Sequence, residues 1–202
     1  DAVSSNSMEV LKNALKSLDF SQTSFFFSIR NEFQPMVHEL CNELNLKVLE
    51  HTDTICLKLP KQDALKFEIS PPKDYHLRSL TLDNLEQINS NWLHRYDGSE
   101  KFIEYLIKYH INIGLFDNNN QLVAWCLKYD NGSLAILQVD EQFMNRGFGS
   151  LVAMGISKEI AEKTDCDVLS LVLHENQKSI NLFKKLGFVN ASGHTWFGLI
   201  NK

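Results

Sequence analysis

Apolar residues recur every three to four positions over 8–18, where Val10, Leu11, Leu15 and Leu18 share one side, so the chain begins with an amphipathic helix. A continuous apolar run centred on Phe25, Phe26 and Phe27 marks a strand over 23–30, and a second helical pattern covers 32–44. Residues 47–51 and 54–59 read as the two arms of a hairpin about Thr52 and Asp53. Pro71 and Pro72 in series interrupt helix and strand alike, which places a linker at 71–74 and a boundary within 60–74. The expected division is therefore a half-domain over 1–70 and a larger domain over 75–202.

Beyond the linker the period changes repeatedly. Residues 75–81 alternate as a strand, Asp83 is placed to cap a helix ending near Trp92, and Ser99 to cap another that carries Phe102, Tyr105, Leu106 and Tyr109 on one face. Two hairpins follow. One joins 111–117 to 121–129 across Asn118, Asn119 and Asn120, and the next turns at Asp130, Asn131 and Gly132 into a strand over 133–140. A helix over 149–163 buries Leu151, Val152, Ile156 and Ile160, followed by a strand at 167–174, a helix at 177–186 stopped by Gly187, and a last hairpin over 191–201. Hairpins first and crossovers later predict an α/β protein with a mixed sheet.

The pattern also repeats. The strand, helix and paired strands at 23–59 mirror those at 167–201, with Asn45 standing where Gly187 stands, and both residues accept the left-handed conformation that ends a helix. Identity between the copies is negligible, so common descent and chance both account for the likeness. The first copy follows no glycine turn. As a degenerate copy it would carry no phosphate site of its own.

Composition narrows the chemistry. No apolar run exceeds six residues, so no segment is long enough to span a bilayer as a helix. The start of the chain lacks the basic and apolar regions of a secretory signal. Cys41, Cys56, Cys126 and Cys166 are scattered without the spacing of a metal site or a disulfide scaffold, and read as small buried residues in a reducing compartment. The expected location is cytoplasmic, with the mitochondrion as the alternative. A net charge of −5 argues against a nucleic-acid partner. The seven histidines form no His-Glu-x-x-His pattern, so no metal is expected.

The strongest chemical signal lies where the strand at 133–140 runs into Asn145, Arg146, Gly147, Phe148, Gly149 and Ser150. The glycines allow a tight turn and close approach of a ligand to the backbone. The helix that follows directs its unpaired N–H groups and the positive end of its dipole into that turn. This arrangement holds phosphate without side-chain charge. Downstream comes a second spaced pattern, Asn176-x-x-Ser179-x-x-Leu182-Phe183-x-Lys185-x-Gly187-Phe188.

In that order, the two patterns resemble the GNAT superfamily of N-acyltransferases over roughly residues 75–201. The short pieces Leu77-Arg78-x-Leu80, Ile88-Asn89-x-x-Trp92 and Leu122-Val123-Ala124-Trp125 resemble its glycine N-acyltransferase group. The resemblance implies a GNAT-like fold and an acyl-CoA cosubstrate, acetyl-CoA or a larger acyl-CoA, with a small amine or amino acid such as glycine as acceptor. It further implies that Leu137, Gln138 and Val139 hydrogen-bond the pantetheine arm and that the 145–150 backbone holds the pyrophosphate. Asn176, Ser179 and Phe183 would line the cofactor arm, the strands ending at Asp140 and His174 would splay apart, and the amine would enter past the helices at 83–110. Two residues depart from the family pattern. Met144 occupies a Gln or Arg position, with Arg146 nearby as a substitute. Phe183 occupies the position of a tyrosine whose hydroxyl would protonate the departing thiolate. A general base for the amine is sought among His174, Asp140 and Glu141, of which His174 has the most suitable ordinary pKa, about 6.5. The rival reading is a catalytically weak acyl-CoA-binding or regulatory module.

Overall fold

The computed structural model describes residues 5–21 and 24–202, so the expected strand start at Thr23 lies outside the described residues. In chain order the elements are α1 (Ser5–Lys16), β1 (Ser24–Arg30), α2 (Gln34–Glu43), β2 (Leu46–Leu59), α3 (Lys61–Ala64), β3 (Tyr75–Arg78), α4 (Leu85–Asn91) and α5 (Ser99–Tyr109). They continue with β4 (Asn112–Asp117), β5 (Leu122–Lys128), β6 (Ser133–Val139), α6 (Phe148–Thr164), β7 (Val168–Leu173), α7 (Gln177–Lys185) and β8 (Val189–Asn201). Two compact units result. The first gathers the described residues up to Cys56 with Val172–Asn176 and Asn190–Lys202, and the second comprises Leu57–Leu171 and Gln177–Val189. The boundary expected at 60–74 includes a stretch, 65–74, outside helix and strand, whereas the units divide at Cys56 and Leu57.

In the first unit β8 lies between β1 and β2, antiparallel to β1. Phe20, Met36, Val37, Cys41, Leu46, Phe197 and Leu199 form its buried core. Helix α1 lies against α2, and the Lys12 ammonium binds Glu39 at 2.9 Å as well as Glu43. Both long strands depart from the expected hairpins: 46–59 and 189–201 each run unbroken. The polar residues taken for turn formers are satisfied within the sheet. Asp53 accepts a hydrogen bond from the Thr195 hydroxyl at 3.0 Å, and its carbonyl accepts one from the His174 N–H at 3.2 Å. Gly193 supplies room rather than a turn, since a Cβ there would stand 2.5 Å from the Asn31 amide nitrogen. Both repeated segments thus fold as strand, helix and one long strand, and both helices end in left-handed residues, Asn45 (φ 52°) and Gly187 (φ 93°).

The second unit is built on a mixed sheet in the order β3-β4-β5-β6-β7. Antiparallel ladders join β3 to β6, and β7 runs parallel to β6. Adjacent strand residues face opposite ways, which fixes where the helices lie. A Cβ on Gly155 of α6 would meet Ile113, whereas one on the next strand residue, Gly114, would meet Leu80, Phe116 and Leu122. Helix α6 therefore covers one face of the sheet. The other face joins α4 and α5 through Ile88, Ile103, Leu106, Trp125 and Leu127, all fully buried. Each such aliphatic side chain contributes about 1.5–3 kcal/mol by leaving water.

The helix starts on that face differ from expectation by a few residues. Thr81, not Asp83, opens the first, through a reciprocal capping box with Asn84 around a short 3-10 turn (Leu82–Asn84). Gly98 (φ 92°) opens α5, leaving Ser99 fully buried with its hydroxyl donating to the Asn89 Oδ1 at 2.6 Å. A side chain drawn into the core cannot cap its own helix.

Candidate cofactor site

The second half of β6 is the least regular strand in the second unit. Trp125 pairs with Gln138 and Leu127 with Ala135, so Ile136 and Leu137 together face Cys126 alone. This is a β-bulge, and Ile136 within it has φ 51°. A β-branched residue with positive φ is a genuine outlier, and such bulges bend strands and interrupt pairing beside functional sites. The ladder to β7 is correspondingly short, confined to Ser133↔Leu169 and Leu134↔Ser170. From Ile136 to Val139 the strand is only half-buried, in contrast to the buried run Ser133–Ala135. The expected divergence of these strands thus begins at Ala135. No sequence signal marked Ile136, because isoleucine favours a regular strand. Cys126 opposite the bulge is fully buried, its Sγ 3.4 Å from the Ala135 carbonyl, and burial pushes its thiol up to about 12.

After Val139 the chain makes a 3-10 turn, Glu141–Phe143. The Asp140 N–H donates to the Val123 carbonyl at 2.9 Å, and its carboxylate accepts the Gln142 N–H at 3.1 Å. Asp140 therefore caps this turn. Glu141 is exposed. Asn145 (φ 63°) and Gly147 (φ 79°) then bend the backbone into α6, and the first intrahelical hydrogen bond runs from the Leu151 N–H to the Gly147 carbonyl at 3.1 Å. Phe148, Gly149 and Ser150 occupy the turn in which backbone N–H groups have no partner within a helix. A Cβ on Gly147 would meet nothing within 4 Å. Its conformation requires glycine, while the space beside it is open.

The side chains of this turn diverge. Phe148 is buried, its ring tilted against Tyr75 at 4.7 Å. Arg146 is exposed, its guanidinium over the Phe143 ring at 5.3 Å and 3.4 Å from the Gln142 carbonyl. Met144 is exposed and brings no donor.

One contact joins the two sequence patterns. A Cβ on Gly149 would lie 3.4 Å from both Val139 and Leu182, so the end of β6, the first turn of α6 and α7 converge there. Ser179 and Phe183 lie one helical turn from Leu182 or beside it on α7. Ser179 is half-buried, and Phe183 is 3% exposed with its ring 5.0 Å from that of Phe188. Leu137, Gln138, Val139, the 145–150 turn, Ser179 and Phe183 thus all belong to the second unit. His174 and Asn176 belong to the first, where both are exposed and the Asn176 N–H donates to the Leu173 carbonyl at 2.9 Å. Among the described residues no group of three or more His, Cys, Asp or Glu could hold a metal ion. No helix among them is long and apolar enough to cross a membrane.

The mixed α/β fold matches that of solved GNAT acetyltransferases. A family model described as FR47-like protein matches residues 112–197, from β4 into β8. Among solved structures, a Drosophila protein is similar at 22% identity and a TM-score of 0.82, over 91% of this chain and 63% of its own. This chain therefore spans less than two thirds of that protein's length. An acetyltransferase assigned to the GNAT family, from Novosphingobium aromaticivorans, is similar over 100% of this chain and 83% of its own, at 11% identity and a TM-score of 0.61. A GCN5-related N-acetyltransferase from Kribbella flavida covers 95% and 73%, at 12% identity and a TM-score of 0.57. No curated protein matches the sequence.

Proposed function

We propose that this chain is an acyl-CoA-dependent N-acyltransferase that moves an acyl group to a small amine, with an amino acid such as glycine as the acceptor suggested by the short motifs at 77–80, 88–92 and 122–125. The observation that carries the reading is the bulge at Ile136 and Leu137, which takes β6 out of its ladder with β7 just before the glycine turn that opens α6. The freed edge of Leu137, Gln138 and Val139 offers strand-like hydrogen bonds to a pantetheine amide. The first-turn N–H groups of α6 offer a pyrophosphate charge-assisted contacts, and Gly147 leaves the approach clear.

Chemistry requires a neutral amine to attack the thioester carbonyl, forming C–N as C–S breaks. A backbone N–H freed at the bulge would be the donor to the developing oxyanion. Asp140 is held as a cap, which leaves Glu141 as the better candidate for the base within the second unit. With Phe183 at the family's tyrosine position, the departing thiolate takes its proton from water or another group. The same residue favours a second reading, an acyl-CoA-binding module with weak turnover. Calorimetry with CoA tests the site, and release of free thiol from acetyl-CoA with a panel of amines separates the readings. CoA binding with turnover supports the enzyme, binding without turnover supports the module, and absence of binding refutes both.

A further inference from the structure

A second cluster of reactive side chains lies wholly within the first unit, on β1 and β8. Their ladder pairs Phe26 with Phe197 and Ile29 with Thr195, so residues 27 and 28 together face Trp196. This too is a bulge, and Ser28 has φ 64°, a conformation few residues other than glycine adopt. The bulge directs the Ser28 hydroxyl to 2.7 Å from Nδ1 of His194. The opposite ring nitrogen, Nε2, lies 2.7 Å from the Ser192 hydroxyl. The histidine is 8% exposed, and the Thr54 hydroxyl donates to its carbonyl at 3.1 Å. A nucleophile within hydrogen-bond reach of a base, with that base oriented by a third group, is the arrangement that activates serine.

We propose that Ser28 and His194 form a nucleophile–base pair that accepts an acyl group from an activated ester or thioester. Nδ1 also lies 3.0 Å from the Ser28 carbonyl, and the two contacts exclude each other. A protonated Nδ1 would donate to that carbonyl. An unprotonated Nδ1 accepts from the hydroxyl, while Nε2–H donates to Ser192, and the shorter contact is the one to the hydroxyl. Burial lowers the imidazole's pKa against the opposing contact with the Ser28 carbonyl, with a smaller contribution from the positive charge of Arg30, and so favours its neutral, proton-accepting form. In the reaction the Ser28 oxygen attacks the acyl carbonyl carbon and its proton passes to Nδ1. The C–S or C–O bond then breaks, and the leaving thiolate or alkoxide takes that proton, giving an O-acyl serine and a free thiol or alcohol. Water hydrolyses the ester in a second step, releasing the acid and restoring the hydroxyl.

The full chain is treated with a fluorophosphonate and, separately, with p-nitrophenyl acetate, and the modified residue is located by peptide mass mapping. The expected result is a single adduct on Ser28 whose rate rises with pH as the imidazole loses its proton. Ser28→Gly suits the left-handed backbone, so it should fold as the parent does, verified by thermal unfolding, and lose the adduct. His194→Gln should slow labelling at least about 100-fold and flatten the pH profile, which a purely structural role for the histidine would not do. Absence of an adduct with both reagents, an adduct on another residue, or labelling unchanged in Ser28→Gly would overturn the assignment.

Discussion

Gly147 separates backbone cost from ligand chemistry. It opens α6 with φ 79°, and a Cβ there meets nothing within 4 Å. A side chain at 147 is therefore penalised for its left-handed backbone alone, by about 1–2 kcal/mol. In a chain of this size 1 kcal/mol lowers Tm by about 2–4 °C, so either Gly147→Gln or Gly147→Glu should melt about 2–8 °C below the parent. Without ligand, the glutamate variant should be the more stable of the two, because a negative charge at a helix start contributes about 0.3–1 kcal/mol. With CoA the order reverses. At about 5 Å and an effective dielectric of about 20, one unit charge repels another by about 3 kcal/mol, and solvent screening reduces this toward 1. CoA affinity should consequently fall about 5- to 150-fold further in the glutamate variant than in the glutamine one. Calorimetry with CoA, alongside thermal melts without it, measures both orders. Equal CoA affinities for the two variants, with both folded, would remove the pyrophosphate from this turn.

Gly149→Ala should be tolerated and stabilising by up to about 0.5–1 kcal/mol, since its Cβ would rest at ordinary contact distance from Val139 and Leu182, and alanine costs less helix entropy; a rise in Tm checks it. On the proposed transferase reading, Phe183→Tyr puts a hydroxyl where the resemblance to N-acyltransferases implies an acid, and turnover should rise toward the ~10²–10⁴-fold that general acid catalysis contributes, with CoA affinity roughly unchanged. An unchanged rate in a folded variant would show that proton donation there does not limit turnover. Burial lowers the pKa of His194 in the folded chain, so protonation favours the unfolded state. The stability this residue contributes is complete above its ordinary pKa of about 6.5 and is lost as pH falls through the lower folded value. Melts from about pH 7.5 to about pH 5 should show the decline, and His194→Gln should reduce its slope.

Turns and helices governed by local residues were legible in the chain. Asp130, Asn131 and Gly132 form the expected hairpin turn with Gly132 at φ 91°, and Asn120 turns the preceding hairpin with φ 61°. The turn at 145–150 was legible for the same reason, because its backbone demands Asn and Gly at fixed positions. What failed depended on distant partners. Thr52 and Asp53 have turn composition, yet a hydroxyl 142 residues away keeps Asp53 in a strand. Gly193 is small for the sake of Asn31. Phe183 was placed correctly on its helix, but its burial against Phe188 depends on how α7 packs. Asp140 shows the limit for chemistry: a carboxylate at a strand end carries no sign of whether it will cap a turn or act as a base.

Ile136 stands in a conformation that its own side chain resists. A procedure that selects residues for stability would replace it with glycine or asparagine and gain from the exchange. Glycine or asparagine accepts a positive φ, so the exchange would hold the bulged form more firmly against a return to the ladder with β7. Laboratory selection for heat resistance should therefore find this position early, and the bulge itself should survive each such gain. At Ile136 a residue suited to a regular strand is held in a bulged one, and the packing around it bears the cost of that conformation.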